Sequence, residues 1–185
     1  KETQKVFGSV DILINNAGGP PSGSFEDFSD EDWENAFQLN LLSYIRAVRE
    51  VLPDLKENGG KIINIASSSI KQPISGLILS NTFRLGIVGL SKTLAEELGP
   101  YNILVNTVAP GRIATDRIAE LDEITAKKQN VSMKEITRKA QNAIPLGRYG
   151  TPEEFAKFVV FLVSDVNTYV TGSALMIDGG SVKAI

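Results

Sequence analysis

The sequence predicts an α/β fold built on a doubly wound parallel sheet, and three observations carry that prediction. Four short, apolar-rich runs read as strands: Asp11 to Asn16, Lys61 to Ala66, Ile103 to Val108 and Ser173 to Ile177. Long segments with apolar residues at helical spacing separate the first three. Near-continuous apolar strands alternating with helices describe a parallel sheet covered on its faces. No repeat, low-complexity tract or charge block interrupts the chain, so residues 1–185 read as a single domain.

Taken in order, Lys1 to Val10 reads as the tail of a helix leading into the first strand. The stretch from Asp30 to Leu55 follows Ser29 and acidic residues, and carries Trp33, Phe37, Leu41, Tyr44, Ile45, Val48 and Leu52 as one long helical stripe. Ser75 to Leu98 repeats the pattern with Leu79, Phe83, Ile87, Leu90, Leu94 and Leu98. Thr115 to Asn142 is charged and loosely amphipathic, predicting one or two exposed helices. At Thr151 a Thr-Pro-Glu-Glu run supplies an N-cap hydroxyl, a proline in the first turn and a glutamate three residues on, so a helix is expected from there to about Ser164.

Composition narrows the chemistry. Lys plus Arg number 19 against 22 Asp plus Glu, a formal charge of -3, which supplies no basic field for a nucleic-acid partner. Apolar runs such as Phe158 to Val163 fall far short of the ~20 residues that cross a bilayer, so a soluble, cytoplasmic protein is expected. The chain has no cysteine and no histidine, which removes disulfides, thiolate chemistry, sulfur-based zinc sites and Ser-His-Asp catalysis. Any reaction must run on hydroxyls, carboxylates, amines or a bound cofactor.

Four segments in order resemble the short-chain dehydrogenase/reductase family, across nearly the whole chain. They are Asp11-Ile-Leu-Ile-Asn-Asn-Ala-Gly18, Phe37-Gln-Leu-Asn-Leu41, Lys61-Ile-Ile-Asn-Ile-Ala-Ser67, and Val105-Asn-Thr-Val-Ala-Pro-Gly111 followed by Thr115. Pro145-Leu-Gly-Arg, Thr151-Pro-Glu-Glu and Thr171-Gly-Ser-Ala-Leu-Met-Ile-Asp-Gly-Gly180 support them. The resemblance implies a Rossmann-like fold and NAD or NADP as cofactor. It implies an alcohol or carbonyl substrate and a homodimer or homotetramer packed through Thr168 to Gly180. It also implies that Asn15, Ala17 and Gly18 border the cofactor ribose, that Pro110, Gly111, Ile113 and Thr115 hold the nicotinamide, and that Asn40 and Ser67 are catalytic. A glycine-rich G-x-G-x-x-G turn is not found, so at least one βαβ unit of ~30 residues is expected to be missing ahead of Lys1.

The match breaks where the family has a tyrosine and, four residues on, a lysine. Those positions hold Ser80 and Arg84, and the serine-to-tyrosine separation of the family is reproduced by Ser67 and Ser80. An aliphatic hydroxyl is a far weaker acid than a phenol and reaches less far, so Ser80 is no simple replacement. Arg84 keeps a positive charge for the ribose or an anionic substrate, but is never a proton donor in practice. Tyr44, Tyr101, Tyr149 and Tyr169 lie off the expected helix face, and a water held by Asn40, Ser67 and Ser80 is the expected proton carrier. Three readings follow: an NAD(P)-dependent oxidoreductase, a catalytically degenerate nucleotide-binding protein, or a partner in an oligomer. Arg112, Arg117 and Arg138 are candidates for meeting a carboxylate, against the plainer reading of solvated helix charge.

Overall fold

The computed structural model describes residues 2–184; Lys1, the first residue of the expected helix tail, and Ile185 lie outside the described residues. Helix α1 (Glu2–Phe7) leads into strand β1 (Ile12–Asn15), and α2 (Asp30–Phe37) starts behind Ser29, whose hydroxyl accepts the Asp32 amide in a capping box. The expected single helix from Asp30 to Leu55 is interrupted. A π-helical turn, Gln38–Leu42, separates α2 from α3 (Ser43–Asn58). A π turn adds a residue to the helical repeat and shifts the face that follows. Sequence periodicity does not register such a shift, because apolar residues continue on both sides of it.

Strand β2 (Gly60–Ile65) is followed by α4 (Ile78–Leu98), which starts three residues later than Ser75, and by β3 (Ile103–Pro110), which runs past Val108. The charged segment after β3 forms two helices, α5 (Asp116–Gln129) and α6 (Met133–Asn142). They are less exposed than their composition suggests, since Asp122, Ala126 and Ile136 are buried. Helix α7 (Pro152–Val163) begins at the predicted Thr151 cap and leads to β4 (Ala174–Ile177). The sheet order is β1-β2-β3-β4 with every neighbouring pair parallel.

Strand alternation assigns the two faces. Leu13, Ile62, Ile103 and Val105 point to α3 and α4, where they pack with Val48, Leu55, Ala95 and Leu98. Ile63, Ile65 and Val108 point the other way, onto Val159 and Leu162 of α7. Burying an aliphatic side chain of this size contributes about 1.5–3 kcal/mol. Lys61, at the head of β2, donates its ammonium to the Val163 and Ser164 carbonyls, neutralising the negative end of α7. Ile12 and Ile14, on the face of β1 that α7 does not reach, stay 43% and 47% exposed.

One row of the sheet is polar. Asn15, Asn64 and Thr107 are register partners across β1, β2 and β3. Asn15 donates to the Asn64 carbonyl oxygen at 2.8 Å, Asn64 donates to Ser91 of α4 at 2.8 Å, and Thr107 donates to the same serine at 2.9 Å. Ser91 in turn donates its hydroxyl to the Ile87 carbonyl at 2.8 Å. Because these groups are buried, removing one leaves the others unsatisfied. Asn64→Ala is expected to cost about 3 kcal/mol and lower the melting temperature by roughly 10 °C, measured by calorimetry. An unchanged melting temperature contradicts this account.

Outside the core, Arg148 forks onto both carboxylate oxygens of Glu154 at 2.8 and 2.6 Å, while Glu154 also accepts the Thr151 amide. Arg148 first, then that amide, hold the Glu154 carboxyl at about 2, below its ordinary 4.5. A depressed folded-state pKa stabilises the fold fully above the unfolded value, and the contribution disappears as pH falls from 4.5 towards 2. The melting-temperature gap between the protein and Glu154→Gln is therefore expected to be level above about pH 5 and to close on acidification. The pair is exposed, so added salt should shrink the gap as well.

Candidate active site

The carboxyl ends of parallel strands release carbonyl groups that no longer have strand partners, and this edge gathers most of the expected site residues. Arg84 lies on the second turn of α4 and is 6% exposed. Its Nη1 donates to the Ile65 carbonyl at 2.9 Å and to the Tyr44 hydroxyl at 3.0 Å. Its Nη2 donates to the Ala17 carbonyl at 2.9 Å and the Gly18 carbonyl at 3.4 Å. The guanidinium thus ties the turn after β1 to the end of β2. Among the described residues no carboxylate lies within 4.0 Å of it, so its charge is balanced by carbonyl dipoles alone.

Tyr44 corrects the expectation that the tyrosines stand apart from this helix face. It is fully buried in the first turn of α3, donates its hydroxyl to the Ile65 carbonyl at 2.8 Å, and accepts from both Arg84 and the Ala17 amide. No loop has to fold in. The π turn is the reason: it resets the helix so that Tyr44 faces the strand ends. A spacing of four from Asn40 was the signal available in the sequence. Tyr101 and Tyr169 lie remote from this cluster, on the turn after α4 and in the exposed segment before β4.

Asn40 sits within the π turn, fully buried. Its amide donates to the Ala36 carbonyl at 2.9 Å, and its Oδ1 has no hydrogen-bond partner among the described residues. Ser67 caps the short 3-10 turn Ser68–Ile70 by accepting the Ser69 amide at 3.2 Å, a contact that uses a lone pair and leaves its O–H free to donate. Ser80, 9% exposed on the first turn of α4, makes no side-chain hydrogen bond among the described residues. Asn15, by contrast, has its side chain engaged with Asn64, so it anchors the turn that carries Ala17 and Gly18.

The loop after β3 meets the segment before α7 in a parallel bridge between Ile113 and Gly150. That bridge uses the Ala114 amide, the Gly150 amide and carbonyl, and the Arg112 carbonyl. The Ile113 amide and carbonyl take no part in it, leaving one donor and one acceptor side by side. A primary carboxamide offers the complementary acceptor and donor, so the residues present fit a nicotinamide. Thr115, the N-cap of α5, directs its hydroxyl to the Ile113 carbonyl at 3.3 Å. Pro110 ends β3, and Gly111 is packed so that a Cβ there would lie 2.6 Å from the Asp178 Cβ.

Comparison with known proteins places the chain in a family. A family model described as enoyl-(acyl carrier protein) reductase matches residues 1–182. The chain belongs to the short-chain dehydrogenase/reductase family. It is 38% identical over 181 residues to the 3-oxoacyl-[acyl-carrier-protein] reductase FabG of Aquifex aeolicus, covering 97% of this chain and 68% of that one. It is 34% identical to the NADPH-dependent reductase BacG of Bacillus subtilis, over 100% of this chain and 72% of the relative. The crystal structure of L-sorbose reductase from Gluconobacter frateurii, complexed with NADPH and L-sorbose, superimposes with a TM-score of 0.92 at 33% identity, covering 99% of this chain and 70% of that one.

A further feature of the site escaped sequence reasoning. Asp122 is 1% exposed, accepts Arg112 Nη1 at 2.5 Å and the Tyr149 hydroxyl at 2.7 Å, and lies 3.4 Å from the Thr137 hydroxyl. One carboxylate therefore joins the loop after β3, α5, α6 and the segment before α7. Burial first, then the bond to Asp122, pushes the Tyr149 phenol up from its ordinary value, so it stays a donor. An aspartate among Ile118, Leu121 and Ala126 on the buried side of α5 was the available signal. Of the other arginines, Arg117 pairs with Glu120 and donates to the Pro20 carbonyl, while Arg138 lies exposed on α6.

If Arg84 holds the strand ends as described, a point-charge replacement cannot do so, because an ammonium lacks the planar fork. Arg84→Lys is expected to cost about 3 kcal/mol, and Tyr44→Phe about 1–2 kcal/mol through the orphaned Ala17 amide. Denaturant midpoints measure both. A lysine variant as stable as the parent would refute this role.

Proposed function

We propose that the protein is an NAD- or NADP-dependent oxidoreductase that interconverts a small-molecule alcohol and a carbonyl compound by hydride transfer. The observation that carries the reading is the convergence, at one sheet edge, of a free serine hydroxyl, a buried cation without a carboxylate partner among the described residues, and an unpartnered Ile113 amide beside a carbonyl that takes only the long Thr115 hydroxyl contact. Family membership over residues 1–182 supports it. The cofactor, when bound, supplies or accepts the hydride.

This chain's residues orient the reactants and move the proton. Ala17, Gly18, Pro110, Gly111, Ile113 and Thr115 border the cofactor. Ser67, with its proton free, donates a hydrogen bond to the reacting oxygen. Arg84 places positive charge beneath the same edge, favouring negative charge that develops on that oxygen. Ser80 is too weak an acid to act alone. The buried, unpartnered Oδ1 of Asn40 and the free hydroxyl of Ser80 support a relay through an ordered water between them, which passes the proton to the product alkoxide.

The expected assembly is a homodimer or homotetramer in the cytoplasm. Val160, Phe161 and Val166 beside β4, with Tyr169 at 95% exposure, support an oligomer. Among the described residues no helix is long and apolar enough to cross a membrane. The deciding measurement titrates NADH and NADPH into the full-length protein, then follows reduced-nicotinamide absorbance over a panel of carbonyl and alcohol substrates. Turnover is expected, with Ser67→Ala and Ser80→Ala each lowering kcat/KM about 100-fold while cofactor affinity is retained. Cofactor binding without turnover, or Ser67→Ala at full rate, overturns the mechanism.

A further inference from the structure

A cavity of about 520 Å³, within the range of small-molecule sites, opens beside Ser68 and Gly111 under α5 and α6. Its walls are largely apolar, with Ile74, Ile136, Ala140 and Ile144 among them, and no aspartate or glutamate among the described residues lines it. Two cations do, Arg112 and Lys139. That is notable in a chain whose net charge is -3.

The two cations differ in what they already hold. Arg112 is neutralised by buried Asp122 at 2.5 Å and stacks near the Tyr149 ring. Lys139 has no carboxylate within 4.0 Å among the described residues, although Glu135 stands one turn earlier on the same helix. Ile136, Lys139, Ala140 and Ala143 all line the cavity, and their spacing makes them one face of α6. That face carries a single charge. With Arg112 and Asp122 cancelling, the cavity presents one net positive unit against an apolar body.

We propose that Lys139 is a specificity residue that receives the carboxylate of the substrate, and that the substrate class is an oxo acid or hydroxy acid with an apolar body. The inference rests on the oxidoreductase reading of the adjacent edge. One unpaired ammonium matches a monoanionic carboxylate better than a phosphate dianion, which a single point charge would leave half balanced. Gln72 and Gln129, also on the wall, supply amide donors for its second oxygen. The Arg112–Asp122 pair fixes the loop after β3 against α5, so the carboxylate and the reacting carbon are held at set separation from Ser67.

The test is calorimetry on the full-length protein saturated with NADPH, using 3-phenylpropanoate and the neutral 3-phenylpropanamide as matched probes. The acid is expected to bind about fivefold more tightly than the amide, the upper scale of one exposed ion pair. Lys139→Met should erase that preference without changing amide affinity, Lys139→Arg should keep it, and Lys134→Met, on the same helix but outside the cavity, should leave it intact. Equal binding of the two probes, no binding of either, or a preference that survives Lys139→Met overturns the proposal. Loss of the redox reading is separately visible: no carbonyl turnover with NADPH while the Lys139-dependent acid preference persists.

Discussion

Arg84 is the constraint around which the working edge of this molecule is organised. Taking a guanidinium out of water costs several kcal/mol, and no carboxylate among the described residues repays it here. What repays it is geometry. Parallel strands leave their last carbonyls pointing off one edge, and Arg84 meets those of Ala17, Gly18 and Ile65 together with the Tyr44 hydroxyl. A planar fork with five donors can serve several acceptors at once, whereas a lysine concentrates its charge at a point. Arg84 thus stitches the turn after β1 to β2 directly.

From that stitch the rest of the site follows. Holding Ala17 and Gly18 fixes the turn after β1, and holding Ile65 fixes the strand end from which Ser67 emerges two residues later. The polar row Asn15–Asn64–Ser91–Thr107 does the same work one step deeper, locking three strands to α4. The two networks share β2, so the serine hydroxyl rides on the most constrained strand of the sheet. Pre-set groups of this kind lose little entropy when a reaction demands them.

The opposite wall of the site is built by a different device. Here a buried carboxylate, Asp122 of α5, gathers partners from two loops and from α6, and so gives a segment of mostly charged residues a fixed shape. An arginine that composition alone offers as an anion receptor is thereby already satisfied. Lys139 is the cation on that wall left without such a partner, and this is a distinction of position, not of residue type.

The four strands, the α7 cap and the serine at the end of β2 were legible in the sequence because each depends on local periodicity or on a side chain's own backbone. Apolar alternation specifies which residues face α3 and α4 and which face α7. The pairing of Arg84 with Tyr44 was not legible, since a π turn of five residues re-aims α3 without leaving a mark in apolar spacing. Nor was the role of Asp122, whose three contacts come from residues 10 to 27 positions away. Sequence by itself determined the layered fold, its family and the residue types at the strand ends. Tertiary structure alone decided which polar groups are already satisfied and which are free, because hydrogen-bond saturation depends on neighbours that the chain brings together only after it has folded.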